Sequence, residues 1–257
     1  PLIIICIISV LIVIKLLIKK LKISTRMAYL ISIGSTVCGT TAIIATAPII
    51  NAKKNEVAYA IANMTVFGII AMLLYPYFAN IYFDSQPLFV GLFLGTAIHE
   101  TSQVAAAGLI YDQQFNSPET LNVATVTKLI RNTFLVILIP LFAFLYNRGE
   151  LKGQKYTIFS IFPYFVIGFI GMIVVRNIGD QIFTTDNNSY IIWTTLIGYL
   201  KTLATVFLTM AMAAVGISIN LSELKSMGYK PFVVGLIAAI TVGFISLIYI
   251  ETLIKFI

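Results

Sequence analysis

Charged residues are scarce in this chain. Lys, Arg, Asp and Glu make up 11% of its 257 residues, while 59% are hydrophobic. A soluble domain carries about 25% charged residues, so this composition excludes one. Apolar runs long enough to cross a hydrocarbon core about 30 Å thick recur along the chain. The sequence therefore predicts an all-α polytopic transmembrane protein.

Cysteine and histidine are also rare. The two cysteines, Cys6 and Cys38, lie in apolar segments, which argues against a disulfide framework. His99 is the one histidine, and the position four residues later, where a zinc-protease motif needs a second one, is Gln103. No Ser-His-Asp set falls in helix-compatible register. We therefore expect no metal, no other cofactor and no enzymatic activity.

The net charge of +7 does not indicate a nucleic-acid partner. Lys and Arg are placed in short loops between apolar segments, as the positive-inside rule describes for membrane proteins. The loops after the first, fifth and seventh segments are basic, and all three can be cytoplasmic at once. Lys53 and Lys54 dissent, since the count of segments puts them on the opposite side.

About eight apolar helices are predicted in a single transmembrane domain over residues 1–257. The segments are Leu2–Ile18, Met27–Ile50, Val57–Ile81, Pro87–Tyr111, Val123–Tyr146, Tyr156–Val175, Ile191–Ile219 and Pro231–Ile257. Because the chain begins at Pro1 inside an apolar run, we expect further helices upstream of it in a longer protein.

Two of these segments resemble each other at a shift of 61 positions, IGSTVCGTTAIIA beside LGTAIHETSQVAA. Gly34 falls on Gly95, and Thr40 falls on Thr101. Close packing in lipid favours small residues and can produce such a likeness by itself. An inverted repeat would need the two segments to run in opposite directions, whereas a count of eight crossings gives them the same direction.

The first of these segments is a candidate for an interrupted helix that holds a substrate. Its small and hydroxyl-bearing residues are typical of a span that unwinds, where freed N–H groups suit an anion and freed carbonyls suit a cation. The alternative is a close-packing face that binds nothing. The candidate residues are Gly34, Ser35, Thr36, Cys38, Gly39 and Thr40.

The second segment carries ionisable groups inside an apolar run. His99 and Gln103 share one helical face with Thr96, and Glu100 lies one turn from Thr96. Ionisable groups at this depth usually face a cavity, a partner or a permeant species. These side chains either line a pathway, with His99 or Glu100 exchanging protons, or form an interhelical hydrogen-bond cluster.

Lys128 and Arg131 lie one turn apart on the next predicted helix. They either snorkel to the interface or supply positive potential to the cavity. Asn63 is a weaker candidate on the third segment. In the seventh segment, Met210–Gly216 is a second candidate for a broken helix, with simple packing as the alternative.

Five motifs in order resemble the YeiH-like family of bacterial membrane proteins, to which sulfate export is ascribed. They are GSTVCGTTAIIATAP, NMTVFGIIAMLLYP, GTAIHETSQVAAAG, ATVTKLIRN and MAMAAVG followed by GYKP. The resemblance implies an inverted-repeat transporter fold related to sodium–proton antiporters and bile-acid symporters. Its two broken helices would cross near mid-membrane, one at Gly34–Ala47 and the other near Met210–Gly216. The Gly34 and Gly95 stretches would then be neighbours in space rather than repeat mates.

From these observations we expect a secondary transporter in the bacterial cell membrane that exports a small anion such as sulfate, coupled to protons or sodium. Three alternatives stay open: a cation/proton exchanger, a membrane-embedded structural subunit and a membrane-embedded enzyme. The expected partners are the anion, a coupling ion and the lipid bilayer, and the oligomeric state is open.

Overall fold

A computed structural model describes residues 1–21, 23–150, 164–183, 189–218 and 228–254. Within these ranges the secondary structure is helical, with no strand. The helices are α1 Leu2–Leu21, α2 Thr25–Thr36, α3 Thr40–Thr46, α4 Lys54–Tyr82, α5 Pro87–Ala97, α6 Thr101–Phe115, α7 Pro118–Thr133, α8 Leu135–Glu150, α9 Tyr164–Ile182, α10 Ser189–Ser218 and α11 Lys230–Ile254. Lys54–Tyr82, Pro118–Tyr146 and Lys230–Leu253 are long and apolar enough to cross a membrane. The predicted all-α membrane class is confirmed.

The chain forms two compact units. One comprises Pro1–Phe162 and Leu221–Ile257, and contains α1 to α8 and α11. The other is Pro163–Asn220 and contains α9 and α10, where Asp180 accepts hydrogen bonds from Trp193 Nε1 at 2.8 Å and Arg176 Nε at 2.6 Å. The candidate site lies wholly in the first unit.

Helices α2 and α3 form a hairpin, hereafter hairpin 1, with its tip at residues 37–39. The hydroxyl of Ser24 caps α2 by accepting from Met27 N at 3.2 Å. At the tip, Gly39 has φ 63° and ψ −121°, a conformation that glycine adopts at little cost because it has no Cβ. The chain then folds back, so that a Cβ added at Gly34 would lie 2.9 Å from Ile43 Cδ1.

Helices α5 and α6 form hairpin 2, with its tip at residues 98–100. Ile98 and Glu100 are extended, with ψ 140° in both. Helix α5 runs parallel to α7 and α6 runs antiparallel to it, because Gly91 and Gly95 of α5 pack on Val123 and Thr127, while Gly108 of α6 packs on Leu121. Glycine lets these backbones approach: a Cβ added at Gly95 would lie 2.6 Å from Ala124 O.

The two hairpins enter the first unit from opposite ends. Ser24 Oγ donates to Glu56 Oε1 at 2.9 Å, and Ser35 Oγ donates to Met64 Sδ at 3.5 Å, so α2 and α4 run in the same direction. Helix α4 then leads from the base of hairpin 1 to the base of hairpin 2. The tips meet between these bases, where Glu100 accepts a hydrogen bond from Thr40 N at 2.5 Å.

Charge differs between the two ends. The basic end is where α2, α4 and α11 begin, and it carries Lys20, Arg26, Lys53, Lys54 and Lys230. The acidic end is where α4 and α11 finish, and it carries Asp84, Asp112, Glu119 and Glu251. Lys53 and Lys54 therefore join the other basic residues, because hairpin 1 returns to the end from which it started. The dissent predicted for this pair is resolved.

Three predictions about the helices need correction. The segments Met27–Ile50 and Pro87–Tyr111 are not single crossing helices, since each folds back on itself, and the count of eight crossings is wrong to that extent. The predicted break near Met210–Gly216 is absent, because α10 is continuous from Ser189 to Ser218. The second interruption lies instead at residues 98–100, 61 positions after the first.

Candidate functional site

Four helix ends meet where the hairpin tips meet. Helices α2 and α5 end there, and α3 and α6 begin there. The last carbonyls of a helix lack partners within the helix, and they carry the negative end of its dipole. Within a membrane such groups need partners from the protein, because lipid supplies none.

Lys128 supplies partners to both tips. Its ammonium donates to Val37 O at 2.9 Å, to Ile98 O at 2.9 Å and to His99 O. The side chain is 0% exposed, and its three N–H donors are all used. Lys128 stands ten residues into α7, about 15 Å along the helix axis from the acidic end. At that depth it does not snorkel to the nearer interface.

Arg131 makes the same connection one turn further on. Nε donates to Thr36 O at 2.9 Å, Nη1 to Thr96 O at 2.7 Å, and Nη2 to Ser35 O. The guanidinium, which is 1% exposed, therefore joins the end of α2 to the end of α5. The planar guanidinium has five N–H donors in a fixed arrangement, so it can bind carbonyls of both helix ends at once.

Glu100 links the tips in the other direction. It is the N-cap residue of α6, yet its carboxylate accepts from the backbone N–H and the hydroxyl of Thr40 at the start of α3. The carboxylate lies directly against Gly39, where any Cβ would overlap it. Hairpin 2 thus closes the tip of hairpin 1 with a buried negative charge.

The tips retain a net positive charge. Two basic side chains, Lys128 and Arg131, face one acidic side chain, Glu100. The negative dipole ends of α2 and α5 are balanced by the positive dipole ends of α3 and α6, which begin beside them. His99 is 1% exposed, and neither ring nitrogen makes a hydrogen bond of normal geometry. A buried imidazole without a partner costs free energy unless a ligand or water completes it.

The other predicted residues are distributed around this point. Thr36 Oγ1 donates to Ser32 O of its own helix at 2.8 Å, and Cys38 is a buried free thiol. Gln103 Nε2 donates to Thr65 O at 3.3 Å and packs on Gly68 of α4, with its Oε1 unpartnered. The predicted residues that come together at or beside the tips are Gly34, Ser35, Thr36, Cys38, Gly39, Thr40, His99, Glu100, Lys128 and Arg131.

Asn63 lies away from the tips. Its Nδ2 donates to Pro231 O at 2.9 Å, and its side chain packs on Gly235 of α11. Among the described residues no group of three His, Cys, Asp or Glu side chains is placed to hold a metal ion.

Sequence reasoning missed the partners of the two buried cations. Lys128 and Arg131 bind main-chain carbonyls, which carry no signal in side-chain identity. It also missed the contact of Thr96 Oγ1 with Ser246 Oγ of α11 at 2.5 Å. The sequence did offer one signal for these partners: Lys128 and Arg131 share one helical face, and two segments that are predicted to be interrupted precede them in the chain.

Comparison with known proteins places this chain among bacterial membrane proteins. The family model described as conserved hypothetical protein 698 matches residues 1–235. A UPF0324 membrane protein of Fusobacterium nucleatum is 33% identical over 252 residues, covering 96% of this chain and 72% of the relative. One of Streptococcus agalactiae is 36% identical over 234 residues, covering 91% and 67%. One of Clostridium tetani is 30% identical over 249 residues, covering 91% and 67%. No solved structure matches.

Proposed function

The chain belongs to the UPF0324 family of bacterial multi-pass membrane proteins, and on that premise we propose that it is a secondary transporter of a small anion such as sulfate, not an enzyme. The observation that carries this proposal is the meeting of two interrupted hairpins around buried Lys128 and Arg131. Secondary transporters commonly bind substrate where discontinuous helices meet near mid-membrane.

We further propose that the two hairpins and the helices that follow them form an inverted repeat. Two observations support this. The interruptions are 61 positions apart in a stretch of similar sequence, and the hairpins enter from opposite ends. In such repeats, alternating access arises when the two halves exchange conformations around a central site. The repeat mates here follow each other directly in the chain.

In this proposal the cations hold the hairpins and set the potential, while His99 contacts the anion. Glu100 is the coupling group. Its carboxylate bridges from hairpin 2 to Thr40 of hairpin 1, so protonating it would weaken the hydrogen bonds that join the tips. Proton movement and hairpin movement would then be linked through one side chain.

A cation/proton exchanger is the second candidate, favoured by the buried carboxylate of Glu100 between two interrupted helices. Carbonyls freed at such interruptions often bind sodium. Here, however, the carbonyls of residues 35–37 and of Thr96, Ile98 and His99 accept from Lys128 and Arg131. The anion transporter is therefore the stronger proposal.

The test is labelled sulfate flux with the intact protein reconstituted in phosphatidylcholine vesicles. We expect uptake that follows an imposed proton or sodium gradient and collapses in Glu100→Gln. Glu119→Gln, at an exposed position at the start of α7, is the matched control and should behave as wild type. Flux unchanged in Glu100→Gln would remove Glu100 from the mechanism. Proton release on adding sodium, with no response to any anion, would favour the exchanger.

A further inference from the structure

A cavity of about 370 Å³ opens at the basic end of the first unit. It is formed where α2, α4 and α11 begin, and Ser24, Lys53, Asn55, Glu56 and Lys230 supply its polar wall. A cavity of this size has room for several water molecules, so a small hydrated ion fits within it. Hairpin 1, whose tip carries the proposed site, has its base at this cavity.

The wall of this cavity has more positive than negative charge. Lys53 and Lys230 make no salt bridge within the described ranges. Both carboxylate oxygens of Glu56 accept hydrogen bonds from other groups: Oε1 accepts from Ser24 Oγ at 2.9 Å, and Oε2 accepts from the backbone N–H of Lys53 at 3.0 Å. These bonds leave the carboxylate little freedom to turn toward either ammonium group.

The helices add to this potential. Helices α2, α4 and α11 run side by side in the same direction, since Tyr59 Oη donates to Gly228 O at 2.8 Å near their starts and Tyr82 Oη donates to Glu251 Oε2 at 2.9 Å near the ends of α4 and α11. Each start carries roughly half a positive charge from the helix dipole. Three helix N-termini and two ammonium groups therefore contribute positive charge to this cavity, and the Glu56 carboxylate contributes the one negative charge of its wall.

We propose that this cavity is an anion-collecting vestibule, which binds the transported oxyanion before it reaches the hairpin tips. The inference rests on the proposed transport function and names its loading site. The positive-inside rule places the basic end in the cytoplasm, so the vestibule loads substrate for export. A cleft lined by charge of one sign raises the local concentration of a counter-ion, and salt weakens the effect.

The experiment compares three substitutions of the intact protein that each remove one positive charge at this end. Lys53→Gln and Lys230→Gln alter the cavity wall. Lys54→Gln is the matched control, because Lys54 is the exposed neighbour of Lys53 and does not line the cavity. Sulfate flux is measured in phosphatidylcholine vesicles with sulfate presented to the basic end, and sulfate binding is measured separately by titration in detergent.

We expect KM for sulfate at the basic end to rise about threefold or more in Lys53→Gln and in Lys230→Gln, with kcat within about twofold of wild type. KM for sulfate presented to the acidic end should not change, and Lys54→Gln should match wild type at both. An equal rise of KM in all three variants would overturn the vestibule proposal, because it would show that only the total positive charge at this end matters and not the cavity.

Two further outcomes distinguish a failure of the vestibule proposal from a failure of the proposed transport function. Sulfate binding that weakens in the Lys53 and Lys230 variants, in a protein that moves no anion, would sink the transport function and keep the cavity as an oxyanion site. An effect of these lysines that appears only when anionic lipid is added would assign the cavity to lipid phosphate groups, and so overturn the loading role.

Discussion

Hairpin 1 and hairpin 2 share a backbone plan but differ in chemistry. Each has a three-residue tip, and the two helix ends that border the tip of one hairpin fall on those of the other at a shift of 61 positions. Each is followed by a long apolar span that begins parallel to its first arm, Lys54–Tyr82 after hairpin 1 and Pro118–Tyr146 after hairpin 2. Each span has a proline in its second half, Pro76 in the first and Pro140 in the second. The plan of the hairpin and its supporting helix therefore occurs twice.

The charged groups occur once. At equivalent tip positions, hairpin 1 has Gly39 and hairpin 2 has Glu100. At equivalent positions of the supporting helices, 64 apart as the two prolines are, α4 has Met64 where α7 has Lys128. Met64 packs on Gly34 and accepts from Ser35 Oγ, whereas Lys128 reaches the carbonyls of both tips.

This difference shows that hairpin 2 and α7 supply the side chains that join the two hairpins. The tip of hairpin 1 has no cation and no carboxylate of its own, so its carbonyls depend on Lys128 and Arg131, and the start of α3 depends on Glu100. A movement of hairpin 2 must therefore affect hairpin 1. Substitutions that make the two halves more alike, or that separate them, test this dependence.

The largest effect is expected from Lys128→Met, which gives α7 the residue of α4. The carbonyls of Val37, Ile98 and His99 would lose their donor inside the membrane. Breaking a buried charged contact on one side costs about 3–5 kcal/mol, so the midpoint of thermal unfolding in detergent should fall sharply. Leu129→Met, on the exposed side of α7, is the control, and equal midpoints for the two variants would contradict the assignment.

A smaller loss is expected from Gly39→Ala. The backbone conformation alone costs a residue with a Cβ about 1–3 kcal/mol. The added methyl group would also push the Glu100 carboxylate away from Thr40. The second cost should disappear in a Glu100→Ala background, so the free energy of unfolding lost on Gly39→Ala should be smaller there.

Gly171→Ala, at a helical site with open space around it, is the control for the glycine comparison and should not destabilise the protein. A loss on Gly39→Ala that is the same in both backgrounds would mean that Glu100 does not press on hairpin 1.

The smallest effect on stability is expected from His99→Leu. Neither ring nitrogen makes a hydrogen bond of normal geometry, so an apolar side chain should change the free energy of unfolding by less than about 1 kcal/mol. Sulfate affinity should nevertheless fall about tenfold, because a hydrogen bond to a charged group contributes about 1.5 kcal/mol or more.

Unfolding and sulfate titration of the same His99→Leu sample test this separation, with Ile98→Leu as the control at the same tip. A large loss of stability with unchanged affinity would make His99 a structural residue.

Much of the candidate site was predictable from residue type and spacing. Small and hydroxyl-bearing residues around Gly39 predicted an interruption, and the apolar surroundings of His99 and Glu100 predicted a functional position. The reversal of direction at each tip was not predictable. Hydrophobic periodicity reports which residues avoid water, and a kinked crossing helix and a folded-back hairpin satisfy it equally.

The amino-acid sequence by itself determined the membrane class, the helical segments and the residues that are costly to bury, because lipid solvation and helix propensity act locally. It also carried the 61-position likeness. Only the tertiary structure decided that both segments turn back, that Lys53 and Lys54 lie with the other basic residues, and that Lys128 and Arg131 bind backbone carbonyls of both hairpins. The binding of both hairpins depends on contacts between residues 29 to 96 positions apart, and local preferences do not encode such contacts.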